Sequence, residues 1–451
     1  MQQDMTRGPV LPALLRFTIP LFIGNMFQQF YNMADTVIVG RFVGEGALAA
    51  VGSTGTVMFL IMGFAVGITS GFSIPTSQFF GAGDEKGVKD TIGTGTLLTL
   101  IIAVLMTIFS SLMVDKLLVM MNTPADILQD ARSYLSVICN GLSACILYNL
   151  FSGYLRAVGN SQAPLFFLVF SSILNIVLDL VLILNFHMGV AGAALATVLS
   201  QGISAVLCVI YIVLKVKILV PERDQWRIKM HIAAKQMKMG IPMALQFAIT
   251  ASGTMIMQTA INLFGSTAVA AFTAASKVQN LLTQGMLSMG QTMATYCGQN
   301  YGKGDLERLK TGVKRAVQVE IIYSLLAAAL FYLLLPNMVA LFFSGDAGIA
   351  ELLPWARTYA TVSMIFYIPL SFIFIFRSAM EGCGSALLVL CCGIVEFVAR
   401  CAVAFISMQV KSYLLAVACD PAAWFAAAVF SLFAFNHVMK GVAARLGSVK
   451  K

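Results

Sequence analysis

The chain has 451 residues, of which 59% are hydrophobic and only 11% charged. Soluble proteins carry about 25% charged residues, and a single water-soluble core stops growing near ~250–300 residues. A soluble enzyme is therefore excluded as a reading, and a polytopic membrane protein is expected. The formal net charge of +9 does not point to nucleic acid, because the basic residues sit in short loops between apolar segments, where orientation in a bilayer accounts for them.

A membrane helix needs about 20 largely apolar residues. Twelve such stretches follow one another, at 13–38, 47–79, 91–114, 132–155, 163–186, 190–214, 239–263, 268–297, 316–341, 355–379, 386–408 and 415–438. The second and eighth are long and hold Gly, Ser and Thr, which suits tilted or bent helices. Twelve spans return both termini to one side. With that side in the cytoplasm, the inward segments hold 22 Lys and Arg and the outward loops five. Both termini are accordingly expected inside. The first stretch, preceded by Arg7 and Arg16, is long and polar-spotted. It lacks a small-residue cleavage site and reads as a resident helix, not a cleaved signal.

Charged side chains at bilayer depth cost at least ~2.5–3.5 kcal/mol unless paired or wet, so each needs a reason. In the first span Gln28, Tyr31 and Asp35 lie at i, i+3 and i+7 on one helix face, beside a stripe of Asn25, Gln29 and Asn32. A lipid-facing helix would not carry these, so the face points into a cavity or the bundle. The competing reading places Asp35 at the outer water interface beside Arg41. Pro20 removes one backbone hydrogen bond and makes a hinge there. The fifth span holds Asn175 and Asp179 at i, i+4, and Thr197 on the sixth adds a hydroxyl. Such oxygen-rich surroundings suit a proton or a hard monovalent cation such as Na+, held at Asp35, Asn175 and Asp179. A carboxylate withdrawn from water keeps its proton more readily, and a second one nearby adds to this. The bland reading makes Asp179 a partner of Asn175, Arg132 or another buried donor.

The stretch 215–238 is polar, rich in Lys and Arg, and reads as a cytoplasmic linker with a surface-lying amphipathic piece. In the eighth span Lys277 precedes Gln284. Lys277 either reaches a central cavity or snorkels to the outer interface. Glu320 is expected to pair with Lys314 or Arg315 at the cytoplasmic edge, and Glu396 with Arg400, at i, i+4, within the membrane. The nine cysteines form no CxxC pair and the histidines are scattered at 187, 231 and 437. Neither a metal centre nor a catalytic cluster is expected, so the chain reads as no enzyme and as needing no cofactor.

The chain is also a duplication. Ile19-Pro20 returns as Ile241-Pro242 and Ala49-Ala50 as Ala270-Ala271. Gly81-Ala-Gly-Asp84 returns as Gly302-Lys-Gly-Asp305, Ala131-Arg-Ser-Tyr134 as Ala356-Arg-Thr-Tyr359, and Arg156-Ala-Val-Gly159 as Glu381-Gly-Cys-Gly384. The offsets drift only from 221 to 225. Six spans per repeat make the repeats parallel, a transporter signature. The expected division is an N-terminal six-helix lobe at 1–214, the linker at 215–238 and a C-terminal six-helix lobe at 239–451. Asp35 falls on Met257 in the second repeat and Asn175 on Arg400, so a coupling site is expected in the N-terminal lobe alone.

The run Tyr31-Asn-Met-Ala-Asp35-Thr-Val-Ile-Val-Gly40-Arg41, followed by Gly44, Leu48, Ala49, Ala50 and Gly52, resembles the multidrug and toxic compound extrusion (MATE) family. The paired Ile-Pro starts, the region of Gln78 and Gln299 and the stretch Arg156-Ala-Val-Gly-Asn160 are similar to further family features. The resemblance implies an all-α membrane protein of twelve transmembrane helices, in two parallel six-helix repeats forming a V-shaped, two-lobed transporter. It implies export of cationic or amphipathic organic compounds against H+ or Na+ by alternating access. Asp35, Asn175, Asp179 and Thr197 resemble the cation-coupling residues of the DinF-like prokaryotic branch. Gln28, Tyr31, Asn32, Lys277 and Gln284 are candidates for the cavity. The expected setting is a prokaryotic inner membrane, with lipids and small organic substrates as partners and a monomer as the default state. The rival is a flippase for lipid-linked saccharides of the same wider superfamily, for which Lys277 and Arg400 are the only hints.

Overall fold

The computed structural model describes residues 3–121, 123–342 and 346–449. These form helices throughout, in the order α1 Val10–Phe42, α2 Glu45–Gly81, α3 Glu85–Met120, α4 Leu128–Asn140, α5 Leu142–Ala157, α6 Gln162–Leu180, α7 Gly189–Lys215, α8 Met230–Asn262, α9 Ser266–Lys303, α10 Leu306–Phe342, α11 Asp346–Ile365, α12 Tyr367–Gly382, α13 Ala386–Val410, α14 Tyr413–Val417 and α15 Cys419–Val449. Among the described residues, nine helices are long and apolar enough to cross a membrane. Two bent pairs, α4 with α5 at 46° and α11 with α12 at 49°, reach the same length and apolar character only when taken together. The remaining expected range, 268–297, lies on the 38-residue α9, whose polar residues keep it below the same mark. Leu105, Phe109 and Leu112 of α3 are more than half exposed. Only a hydrocarbon surrounding makes such a surface stable.

Two compact units are present, Met1–Asp4 with Ile19–Ala244 (unit 1) and Met5–Thr18 with Leu245–Lys451 (unit 2). Both α1 and α8 are continuous helices that change unit near a proline. Pro20 lies inside α1 beside the Thr18/Ile19 division, and Pro242 inside α8 beside the Ala244/Leu245 division. The start of α8 packs in unit 1 because Gly67 and Gly71 of α2 lie against the backbone of Ala244 and Gly240; a Cβ at either glycine would collide with it. The start of the chain is held in unit 2 by its backbone. Arg308 donates to the carbonyls of Met5 (3.0 Å) and Gly8 (2.7 Å), Lys303 donates to that of Thr6 (2.8 Å), and the Met5 N–H donates to Gln299 (3.0 Å).

The repeated Gly-x-Gly-Asp is a structural corner in both units. Gly83 and Gly304 take φ of 72° and 76°, the left-handed conformation that ends a helix at little cost for glycine. The next residue caps the following helix: Asp84 accepts from the Gly87 N–H at 2.9 Å and Asp305 from the Arg308 N–H at 3.0 Å.

The linker is not a free amphipathic helix. Short 3-10 turns at Lys217–Leu219 and Arg223–Gln225 are pinned to the start of α3, and its last residues already belong to α8. Glu222 and Gln225 form a capping box. Lys89 pairs with Glu222 at 2.7 Å, Lys229 pairs with Asp90, and Thr94 donates to the carbonyl of Arg227 at 3.2 Å. The Glu222 carboxylate beside it holds the Lys89 ammonium above its ordinary range.

Candidate functional site

The polar residues expected of the first, fifth and sixth spans meet in unit 1. Beneath them lies a cluster of Ile38, Val39, Tyr134, Ile183, Val190, Ala193 and Ala194. The small residues of α7 allow a close approach: a Cβ at Gly192 would lie 3.3 Å from the Leu182 Cβ. Leu182 belongs to a π-helical turn, Val181–Asn185, that follows α6 directly. Such turns re-aim the helix they end and recur at functional positions.

Asn175 and Asp179 are 1% and 0% exposed, so neither reaches water on its own. The Asn175 Nδ2 donates to the Thr197 hydroxyl at 3.3 Å. Asp35 is half-buried on α1, and its carboxyl group lies beside that of Asp179. Two anions cannot hold that arrangement without a shared proton or a cation between them. Asp35 Oδ1, Asn175 Oδ1 and both Asp179 oxygens are buried acceptors that face no donor. No Lys, Arg or His acts on either carboxyl group among the described residues. Tyr134 of α4, 8% exposed, stands beside Asp35, Asp179 and Tyr31. Gln28 and Gln201 of α7 stand beside the Tyr31 hydroxyl. Tyr134 and Gln201 were not singled out from the sequence. The signals were there: Tyr134 recurs as Tyr359 in the repeat, and Gln201 lies one turn after Thr197.

The two basic partners weighed for the aspartates lie elsewhere. Arg132 pairs with Asp115 at 2.7 Å, both side chains mostly exposed, and not with Asp179. Asp35 makes no ion pair with Arg41 among the described residues. Of the cavity candidates, Gln28 and Asn32 are exposed and Tyr31 half-buried in unit 1. Lys277 and Gln284 belong to unit 2, the first exposed and the second buried, with its side-chain amide donating to the Asn280 carbonyl at 2.9 Å.

Unit 2 treats its buried charges differently. Arg400 donates to Glu396 at 2.8 Å, as expected for the i, i+4 pair, and also to Asp420 of α15 at 2.7 Å. The guanidinium is only 2% exposed. The expectation for Glu320 fails: it is 2% exposed, its Oε2 faces no donor, and Arg315 bonds Gln318 instead.

Comparison with known proteins agrees with the duplicated architecture. The MatE family model matches residues 20–181 and again 242–406. The probable multidrug resistance protein YpnP of Bacillus subtilis is 28% identical over 397 residues, 87% of each chain. The DNA damage-inducible protein F of Escherichia coli is 30% identical, over 192 residues and 42% of this chain. In fold, the crystal structure of a MATE protein in complex with MaL6 superposes with a TM-score of 0.91 at 23% identity, over 98% of this chain and 99% of that one.

Proposed function

Since the chain belongs to the MatE family of membrane transporters, we propose that it is an antiporter that exports cationic or amphipathic organic compounds against H+ or Na+, coupled at the unit 1 site. The protein is a multi-pass membrane transporter and not an enzyme. One observation carries the coupling: Asp35 and Asp179 are carboxyl neighbours with buried acceptors and, among the described residues, no basic partner. Such a pair must take up a positive species to be stable and must release it to turn over. A proton satisfies it by bridging the two carboxyl groups. Sodium satisfies it through the hard oxygens of Asp35, Asn175 and Asp179, with Asn175 held in place by Thr197.

Loading from the outer side neutralises the pair, α1 bends near Pro20, and the substrate is released outward. The position of Pro20 beside the boundary between the compact units supports a hinge there. The excess of Lys and Arg in the inward segments supports both termini in the cytoplasm of a prokaryotic cell. The stretch shared with DNA damage-inducible protein F, and Met257 where a second carboxylate would stand, support placement in the DinF-like branch.

The test is efflux from reconstituted vesicles loaded with a fluorescent organic cation, with pH and Na+ gradients imposed separately. One gradient is expected to drive transport, and Asp35→Asn or Asp179→Asn to abolish it. Full gradient-driven transport in both variants overturns the reading. No transport under either gradient by folded protein moves it to a lipid or anionic substrate, with Lys277 the next residue to change.

A further inference from the structure

We infer that Arg400 is a built-in cation: its guanidinium fills, in unit 2, the place that a mobile cation takes in unit 1, and removing it uncovers a site for a free guanidinium ion or a similar small monovalent cation. The unit 1 half of this statement rests on the coupling reading above.

The repeat register places the two sites on one another. At the offset of 225, Asn175 falls on Arg400 and Tyr134 on Tyr359. Tyr134 stands beside Asp35 and Asp179, and Tyr359 stands beside Asp420. At the offset of 222, Tyr31 falls on Gly253. The side chain is deleted there because the guanidinium needs the room: a Cβ at Gly253 would lie 2.5 Å from Arg400 Nη1. Asp420 lies on α15, which stands to α13 as α7 stands to α6, two positions before the counterpart of Thr197.

The tyrosine wall is thus kept while the charged groups are rearranged. The α1 carboxylate is lost at Met257, and two carboxylates appear instead on α13 and α15. Both bind one guanidinium, at 2.8 and 2.7 Å. That guanidinium is covalently tethered and almost wholly buried, so it cannot exchange. A tethered charge closes this place in unit 2 to mobile ions.

Chemical rescue tests this without any transport. Arg400→Ala and the double variant Arg400→Ala/Glu396→Gln are purified in detergent. Their thermal unfolding is followed in low-millimolar guanidinium chloride, against NaCl and urea at equal concentration. Guanidinium is expected to raise the midpoint of Arg400→Ala by several degrees and to saturate. The wild type should not respond, and the double variant should lose the response. A midpoint of Arg400→Ala that guanidinium leaves unchanged or lowers overturns the inference. Should Arg400→Ala not yield folded protein, Arg400→Lys is set against Arg400→Gln. Recovery of folded protein with Lys but not Gln supports a required charge, and equal recovery overturns it. Failure here is separate from failure of the coupling reading, which is judged by transport in Asp35→Asn and Asp179→Asn.

Discussion

In unit 1, α6 turns Asn175 and Asp179 toward Asp35 and Thr197, and among the described residues no basic side chain joins them. In unit 2, the matched α13 turns Glu396 and Arg400 toward Asp420. Both places are buried, both hold two carboxylates, and both have a tyrosine from the matched helix beside them. The difference lies in where the positive charge comes from. A buried ion pair completed within the chain is a structural part, costly to break but inert. A carboxylate pair left to find its own positive partner is a working part, because its state follows the medium. The duplication holds two copies of one scaffold, and a handful of exchanges separates a fixed site from a responsive one: Met257 for Asp35, Gly253 for Tyr31 and Arg400 for Asn175, with carboxylates added at Glu396 and Asp420.

The sharpest break of this contrast is Asp179→Asn. It should bring gradient-driven efflux in vesicles to background while leaving thermal unfolding unchanged or slightly later, since it removes an anion from a like-charged pair. Arg400→Ala should do the reverse in kind. Leaving Glu396 and Asp420 buried without their partner costs about 3–5 kcal/mol, to be read from denaturant unfolding in detergent. Gly253→Ala forces the guanidinium to shift and should cost about 1–3 kcal/mol by the same measurement. The equivalent small-residue change in unit 1, Asn175→Ala, removes one 3.3 Å hydrogen bond. It should cost only about 1 kcal/mol, yet lower the apparent affinity for the driving ion in efflux assays. Arg132→Ala is the baseline: its ion pair with Asp115 is mostly exposed, so the loss should stay below about 1 kcal/mol with transport intact. A large transport defect in Arg132→Ala would restore Arg132 as a functional partner of the unit 1 site.

Composition and the period of apolar runs were enough to read an all-helical membrane protein, because a bilayer permits so few backbone solutions. The repeat offsets were enough to read a parallel duplication, and they placed Asn175 opposite Arg400. The i, i+3 and i+7 spacings put Gln28, Tyr31 and Asp35 on one face, and the i, i+4 spacing paired Glu396 with Arg400, because helix geometry alone fixes neighbours within a span. Contacts between spans were out of reach of such arguments. That Asp35 meets Asp179, that Tyr134 and Gln201 join them, that Asp420 completes the arginine cluster and that Glu320 goes without Lys314 and Arg315 depend on how separate helices pack. So does the exchange of helix starts, in which the start of α1 up to Thr18 belongs to unit 2 and the start of α8 up to Ala244 to unit 1. That exchange follows from the glycine faces of α2 and the carbonyls clasped by Arg308. Side-chain periodicity records which face of a helix is polar, but which partner that face meets is decided only when the helices are brought together.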